Sequence, residues 1–289
     1  MSAPWRRSPE RSHRFALRLM RWIALGLGRR AARLVLYPVS AYFLLFAPRA
    51  RRASRAFLGR ALGRRATLAD VYRHFFTFAA TVLDRVYLLD ERFELFQIEE
   101  HDAPGPGAGL LLMGAHLGSF EALRAAGRRT GRLRVSMVMY EDNARMLNEA
   151  LAAISPSARQ DVIALGRVDS MLRVRDCVAD GGMAGVLGDR GLDEDDARAV
   201  SFLGAPARFP LGPLRMAALL RCPVVFMAGL YLGGNRYALR FEPLADFSST
   251  APTPEAALDA YVACLERHCR AAPYNWFNFF DFWAAADAR

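Results

Sequence analysis

From residue 109 onward the sequence alternates between short apolar runs and stretches with helical spacing, and few folds admit that alternation. The runs 109–114, 133–140, 161–165, 183–188, 223–231 and 236–242 read as strands. The segments 119–128, 142–154, 168–180, 212–221 and 254–270 read as helices. Strands without a polar face need cover on both sides, and strands separated by helices run parallel. The expected class is therefore α/β: a mostly parallel central sheet flanked by helices. In such sheets the site lies beyond the carboxyl ends of the strands. Upstream, 67–90 reads as a helix capped by Thr67 with Asp70 three residues on, and His74 is expected to pack within it. The stretch 102–108 is a turn-rich connector.

The first 65 residues have a different composition. They hold sixteen of the 39 basic residues beside a single acid, Glu10, and the remainder of the chain is mildly acidic. In 14–33, arginines recur every three or four positions with Phe15, Trp22, Ile23 and several leucines between them. That is the pattern of an interfacial helix. The uncharged run 34–48 follows, too short for a simple span and interrupted by Pro38. Arg49, Arg51, Arg52 and Arg55 come next, suited to lipid phosphates. We expect a basic amphipathic and hydrophobic, membrane-associated helical segment over 1–65, either lying in or dipping into the bilayer, and an α/β domain over 66–289. An RNA-binding arm is not expected, because nothing else resembles an RNA-binding module.

All 39 basic residues are arginine, which excludes a lysine Schiff base or a P-loop. The four cysteines form no C-x-x-C pair, and no histidine stands at zinc-finger spacing, so reduced structural thiols are expected. Walker A, G-x-G-x-x-G, H-E-x-x-H and G-x-S-x-G patterns are absent. The acidic run 193–196 reads as a solvated loop, and no metal is expected.

The stretch GLLLMGAHLGSFEAL, 109–123, places His116 after a strand and Glu121 in the first turn of the next helix. A hydroxyl attacks poorly until a base takes its proton, and neutral imidazole suits that task. A carboxylate on the other ring nitrogen fixes the tautomer, and Glu121 is the expected partner. Ser119 is a candidate N-cap, and the helix dipole favours an ionised Glu121. Backbone amides near Gly114 or at the helix start are candidate donors to an oxyanion.

Two further blocks join this one: LGDR at 187–190 and FLGAPARFPLGPL at 202–214, followed by a P-V-V strand. Together with His116-Leu-Gly-Ser-Phe-Glu121 they resemble the lipid A biosynthesis (lauroyl/myristoyl) acyltransferase family, within the H-x4-D/E glycerolipid acyltransferases. The likeness covers roughly residues 15–283. It implies transfer of a fatty acyl group from an acyl-carrier-protein or CoA thioester to a hydroxyl of a membrane lipid or glycolipid, without a further cofactor. It implies His116 and Glu121 as catalytic residues, and Asp189 and Arg190 near substrate. Gly204, Pro206, Phe209 and Gly212 match a block that shapes the site. Arg145 and Arg167 are further arginines able to meet phosphate. A bacterial inner membrane, cytoplasmic face, is the implied location.

The ending PYNWFNFFDFW, 273–283, is more aromatic than expected of a lipid A enzyme and resembles a branch associated with aryl polyene or related pigment lipids. These rings either line an acyl channel, rest at the headgroup layer, or pack in the core. A thioesterase and a non-catalytic lipid-binding protein are the alternatives on the same fold.

Overall fold

The computed structural model describes residues 11–130, 135–140, 162–165, 169–191, 196–249 and 252–283. Its centre is a seven-stranded sheet. The strands are β1 (Gln97–His101), β2 (Leu110–Gly114), β3 (Val135–Tyr140), β4 (Val162–Leu165), β5 (Met183–Leu187), β8 (Pro223–Gly233) and β9 (Arg236–Asp246). They lie in the order β1-β9-β8-β2-β5-β3-β4. Only the β8–β9 pair is antiparallel; the other neighbours run parallel. A separate hairpin joins β6 (Ala197–Phe202) to β7 (Ala205–Pro210).

Strand β2 is buried along its whole length, and its side chains alternate between two cores. Leu111 and Met113 enter one, Leu110 and Leu112 the other. On the first face lie α2 (Pro48–Leu62), α5 (Ser170–Ala179), α6 (Gly212–Leu220) and α7 (Pro254–Ala271). The second face is covered by α1 (Arg11–Phe46), α3 (Leu68–Leu89) and α4 (Phe120–Thr130). The expected helix 142–154, Arg145, Arg167 and most of the acidic run 193–196 lie outside the described residues.

Thr67 caps α3 through a reciprocal capping box with Asp70, the geometry its spacing predicts. The arm is less separate from the body than its composition suggests. Phe57 and Leu58 of α2 are fully buried in the first core. Arg29 of α1 forms a two-pronged bond with the buried Asp84 of α3, at 2.8 and 2.9 Å, and Tyr237 donates to the same carboxylate. Helix α1 breaks at Gly28, which has φ 77°, and runs through Pro38 without interruption.

Among the described residues no single helix is long and apolar enough to cross a membrane. Gly28–Phe46 and Pro48–Leu62, bent by 96°, pass that test only as a pair, which is weak support for a membrane-associated element. The second half of α1 nevertheless leaves Leu34, Tyr37, Tyr42, Phe43, Leu45 and Phe46 about half exposed or more.

Candidate active site

Parallel pairing of β2 with β5 sets Gly114 opposite Leu187. Two residues past those strand ends stand His116 and Asp189, so the register alone brings them level. Gly188 tightens the junction, its N–H donating to the Gly114 carbonyl at 2.9 Å. That carbonyl also accepts the Tyr261 hydroxyl at 2.8 Å. Asp189 receives His116 Nδ1 at Oδ1, 2.9 Å, and the His116 backbone N–H at Oδ2, 3.1 Å. The Trp276 indole N–H donates to Oδ2 at 3.0 Å.

The Asp189 side chain is fully buried, while that of His116 is 34% exposed. Burial alone would push the carboxyl up. The His116 ring, its hydrogen bond, the adjacent Arg190 and the His116 amide outweigh burial and hold it well below the usual carboxylate range. An ionised carboxylate only accepts, so Nδ1 carries the proton and Nε2 keeps its lone pair.

Glu121 is not the carboxylate on the ring. Its buried side chain bonds Arg85 Nε of α3 at 2.9 Å and accepts from Ser119 Oγ at 3.5 Å. The reason is directional. Glu121 lies in the first turn of α4 and projects toward α3, whereas His116 follows β2 and is drawn to the end of β5. Ser119 acts as the N-cap, accepting the Ala122 N–H at 3.3 Å.

The connection between His116 and α4 presses against β8. Gly118 has φ 78°, and a Cβ there would stand 2.0 Å from the Gly229 carbonyl oxygen. The amides of His116, Gly118 and Ser119 are occupied by Asp189 Oδ2, the Asn275 carbonyl and the Gly229 carbonyl. These three amides are therefore not open oxyanion donors.

Arg190 Nη2 donates to the Phe277 carbonyl at 2.9 Å, and its guanidinium lies over Phe280, 5.0 Å from the ring centre. Its Nε is buried without a partner among the described residues. Burial draws its pKa down while Asp189 opposes that shift.

The remaining sequence candidates lie in the hairpin and at the start of α6. Gly204, φ 79°, and Leu203 form its turn; Pro206 is exposed on β7. Phe209 is buried against Phe202, Tyr261 and Phe282. Gly212 opens α6, where a Cβ would approach Asp196 at 3.2 Å. Among the described residues none of the four is bonded to His116 or Asp189. Of the four, Phe209 touches Tyr261, whose hydroxyl bonds the Gly114 carbonyl.

The aromatic ending, whose role the sequence left open, is mostly core. Trp276 is fully buried, and Phe277, Phe282 and Trp283 nearly so. It also clamps the His116 loop. Phe277 N–H donates to the His116 carbonyl at 2.8 Å, and Leu117 pairs with Trp276 in an antiparallel bridge. Asn275 bonds both backbone groups of Tyr231 on β8.

Away from this site, Glu242, Cys264 and His268 place one possible metal-ligand atom each within 4.8 Å of one another. The Glu242 carboxylate there is already shared by Arg267 and His268.

A half-exposed imidazole whose far nitrogen is held by a buried carboxylate, at the carboxyl edge of a parallel sheet, is the equipment of a general base. The model of the bacterial lipid A biosynthesis acyltransferase family matches residues 73–284, most of the chain, and the chain belongs to that family. It is thus an acyltransferase of the lipid A type. No individual curated protein matches it.

Proposed function

We propose that the protein moves a fatty acyl group from an acyl-carrier-protein or CoA thioester to a hydroxyl of a lipid A-type glycolipid, at the cytoplasmic face of the bacterial inner membrane. His116 Nε2 takes the acceptor's hydroxyl proton as the oxygen attacks the thioester carbonyl. The tetrahedral oxyanion collapses, the C–S bond breaks, and the departing thiolate takes the proton from the imidazolium, which returns His116 to its neutral form. The products are an ester and a free thiol. Asp189 fixes the tautomer and stabilises the imidazolium. Arg190 supplies positive charge beside the pair, and Glu121 holds Arg85 and Ser119 at the start of α4. The hairpin block of Gly204, Pro206, Phe209 and Gly212 shapes the site indirectly.

The bond between His116 Nδ1 and the buried Asp189 carries this reading, since a proton held at Nδ1 leaves Nε2 of the neutral ring as the acceptor on a partly exposed side chain. Packing accounts for the aromatic ending, so nothing here favours an aryl polyene acceptor. Purified protein is to be incubated with labelled lauroyl thioester and membrane lipid extract, with chelator present. Labelled glycolipid is expected, and His116→Ala is expected to abolish it while folding and vesicle binding persist. Release of free fatty acid alone would instead mark a thioesterase.

A further inference from the structure

Among the described residues the Asp189 carboxylate has three donors, and two of them belong to the residue it is meant to hold: the ring and the amide of His116. A carboxylate bonded only to its client moves with it. The third donor comes from elsewhere. We propose that Trp276 is a positioning residue: its indole N–H fixes Asp189 from a separate segment and so keeps His116 in the tautomer with Nε2 free. This rests on His116 being the base.

Trp276 is itself fixed on every side. Its ring packs against Phe57, Phe202 and Phe282, with centres 4.8, 5.4 and 4.9 Å away. Its carbonyl accepts His74 Nε2 at 2.9 Å, and Ser54 lies 2.8 Å from His74 Nδ1. With Nε2 donating to a carbonyl, Nδ1 accepts the Ser54 hydroxyl, and neutral His74 satisfies both bonds. A line of bonds thus runs from α2 through α3 and Trp276 to Asp189. A phenylalanine could also join the aromatic cluster, at the cost of a small void; the nitrogen is what a buried carboxylate requires.

Trp283 provides a control. It lies in the same cluster, stacked on Phe202, but its indole N–H donates at 3.3 Å to the Phe202 carbonyl and not to the site. The other groups near Asp189 are Arg190, which is charged, and Tyr261 and Cys269 of α7, which burial keeps neutral. The Arg85–Glu121 pair lies at the start of α4.

The test reads the ring nitrogens of isotope-labelled histidine by NMR across pH in the full chain in detergent, with His116→Gln identifying the signal. The wild type is expected to show Nδ1 protonated and Nε2 bare. In Trp276→Phe the carboxylate loses the donor that anchors it from outside and is free to turn with the ring. The two His116 tautomers should then be mixed. Trp283→Phe should leave the tautomer as in the wild type. If Trp276→Phe does not fold, benzothienylalanine at position 276 removes the N–H and keeps the ring shape. A wild-type tautomer in the position-276 variant, or an equal change in Trp283→Phe, overturns the proposal. Acyl transfer is measured separately. Loss of Trp276 should lower kcat about tenfold with KM little changed. A His116 signal that depends on Trp276 in a chain without transferase activity would defeat the enzymatic reading and not the positioning bond.

Discussion

His116 has two acids within reach of a plausible argument, and only geometry separates them. Glu121 stands at the spacing a motif rewards, yet it bonds Arg85, while Asp189, 73 residues downstream, bonds the ring. The two carboxylates should therefore differ in what their loss does to the histidine. Glu121→Gln should lower activity through Arg85 and the start of α4 while leaving the pH dependence of kcat/KM unmoved. Asp189→Asn should alter that dependence itself. A pH–rate profile of both variants checks this; a shifted limb in Glu121→Gln alone would reverse the assignment. His74 yields a stability prediction. Burial lowers its pKa from 6.5 to about 4, with the Trp276 carbonyl opposing the shift. The unfolded chain binds the proton first, so stability is full above pH 6.5 and falls as pH drops toward 4. The loss is on the order of 3 kcal/mol. Thermal melts of wild type and His74→Gln across that range should diverge, with the variant lacking this portion of the slope.

Pairing of elements explains why part of the site was legible and part was not. Apolar runs and helical spacing predict the six strands from β2 to β9 outside the hairpin, and His116 at a strand end follows from them. The Asp189 bond needs the β2–β5 register, which a single sequence does not state. The β6–β7 hairpin lacks an apolar run: its strands mix exposed, partly buried and buried positions, and arginines and prolines interrupt them. Strand β1, with Glu99 and Glu100 at its centre, hides for the same reason. Trp276 was visible as one ring among many; its indole partner lies far off in sequence. The contact of Gly118 with Gly229 of β8 likewise needs the fold and is not stated by the sequence. With φ 78° and Gly229 against it, Gly118→Ala should lower stability by roughly 3 kcal/mol or more, read as a fall in melting temperature. An unchanged melting temperature would mean that the loop does not press on β8.

Across the whole molecule, the basic excess and the exposed apolar face occupy the same end of the chain. Leu45 and Phe46, 64% and 68% exposed, close α1, and exposed Arg49, Arg52 and Arg55 follow on α2. Phe57 and Leu58 meanwhile tie α2 to the core, so this surface is rigidly joined to the body that carries His116. Replacing the three arginines by glutamine should weaken binding to anionic vesicles on the order of a hundredfold, at about 1 kcal/mol each. Arg55 also donates to the Ala66 carbonyl, so circular dichroism accompanies that variant. Leu45→Asp with Phe46→Asp should weaken binding even to neutral vesicles. Sedimentation with vesicles at low and high salt separates the two contributions, and binding unaffected by both sets would remove the membrane surface from this part of the chain.

The most direct measurement is the turnover of acyl transfer by Asp189→Asn, on protein shown by circular dichroism and vesicle binding to be folded. If the buried carboxylate fixes the His116 tautomer, turnover should fall about 10³- to 10⁴-fold. Turnover near that of the wild type would contradict the account, because His116 would then act as a base without the partner on its other nitrogen.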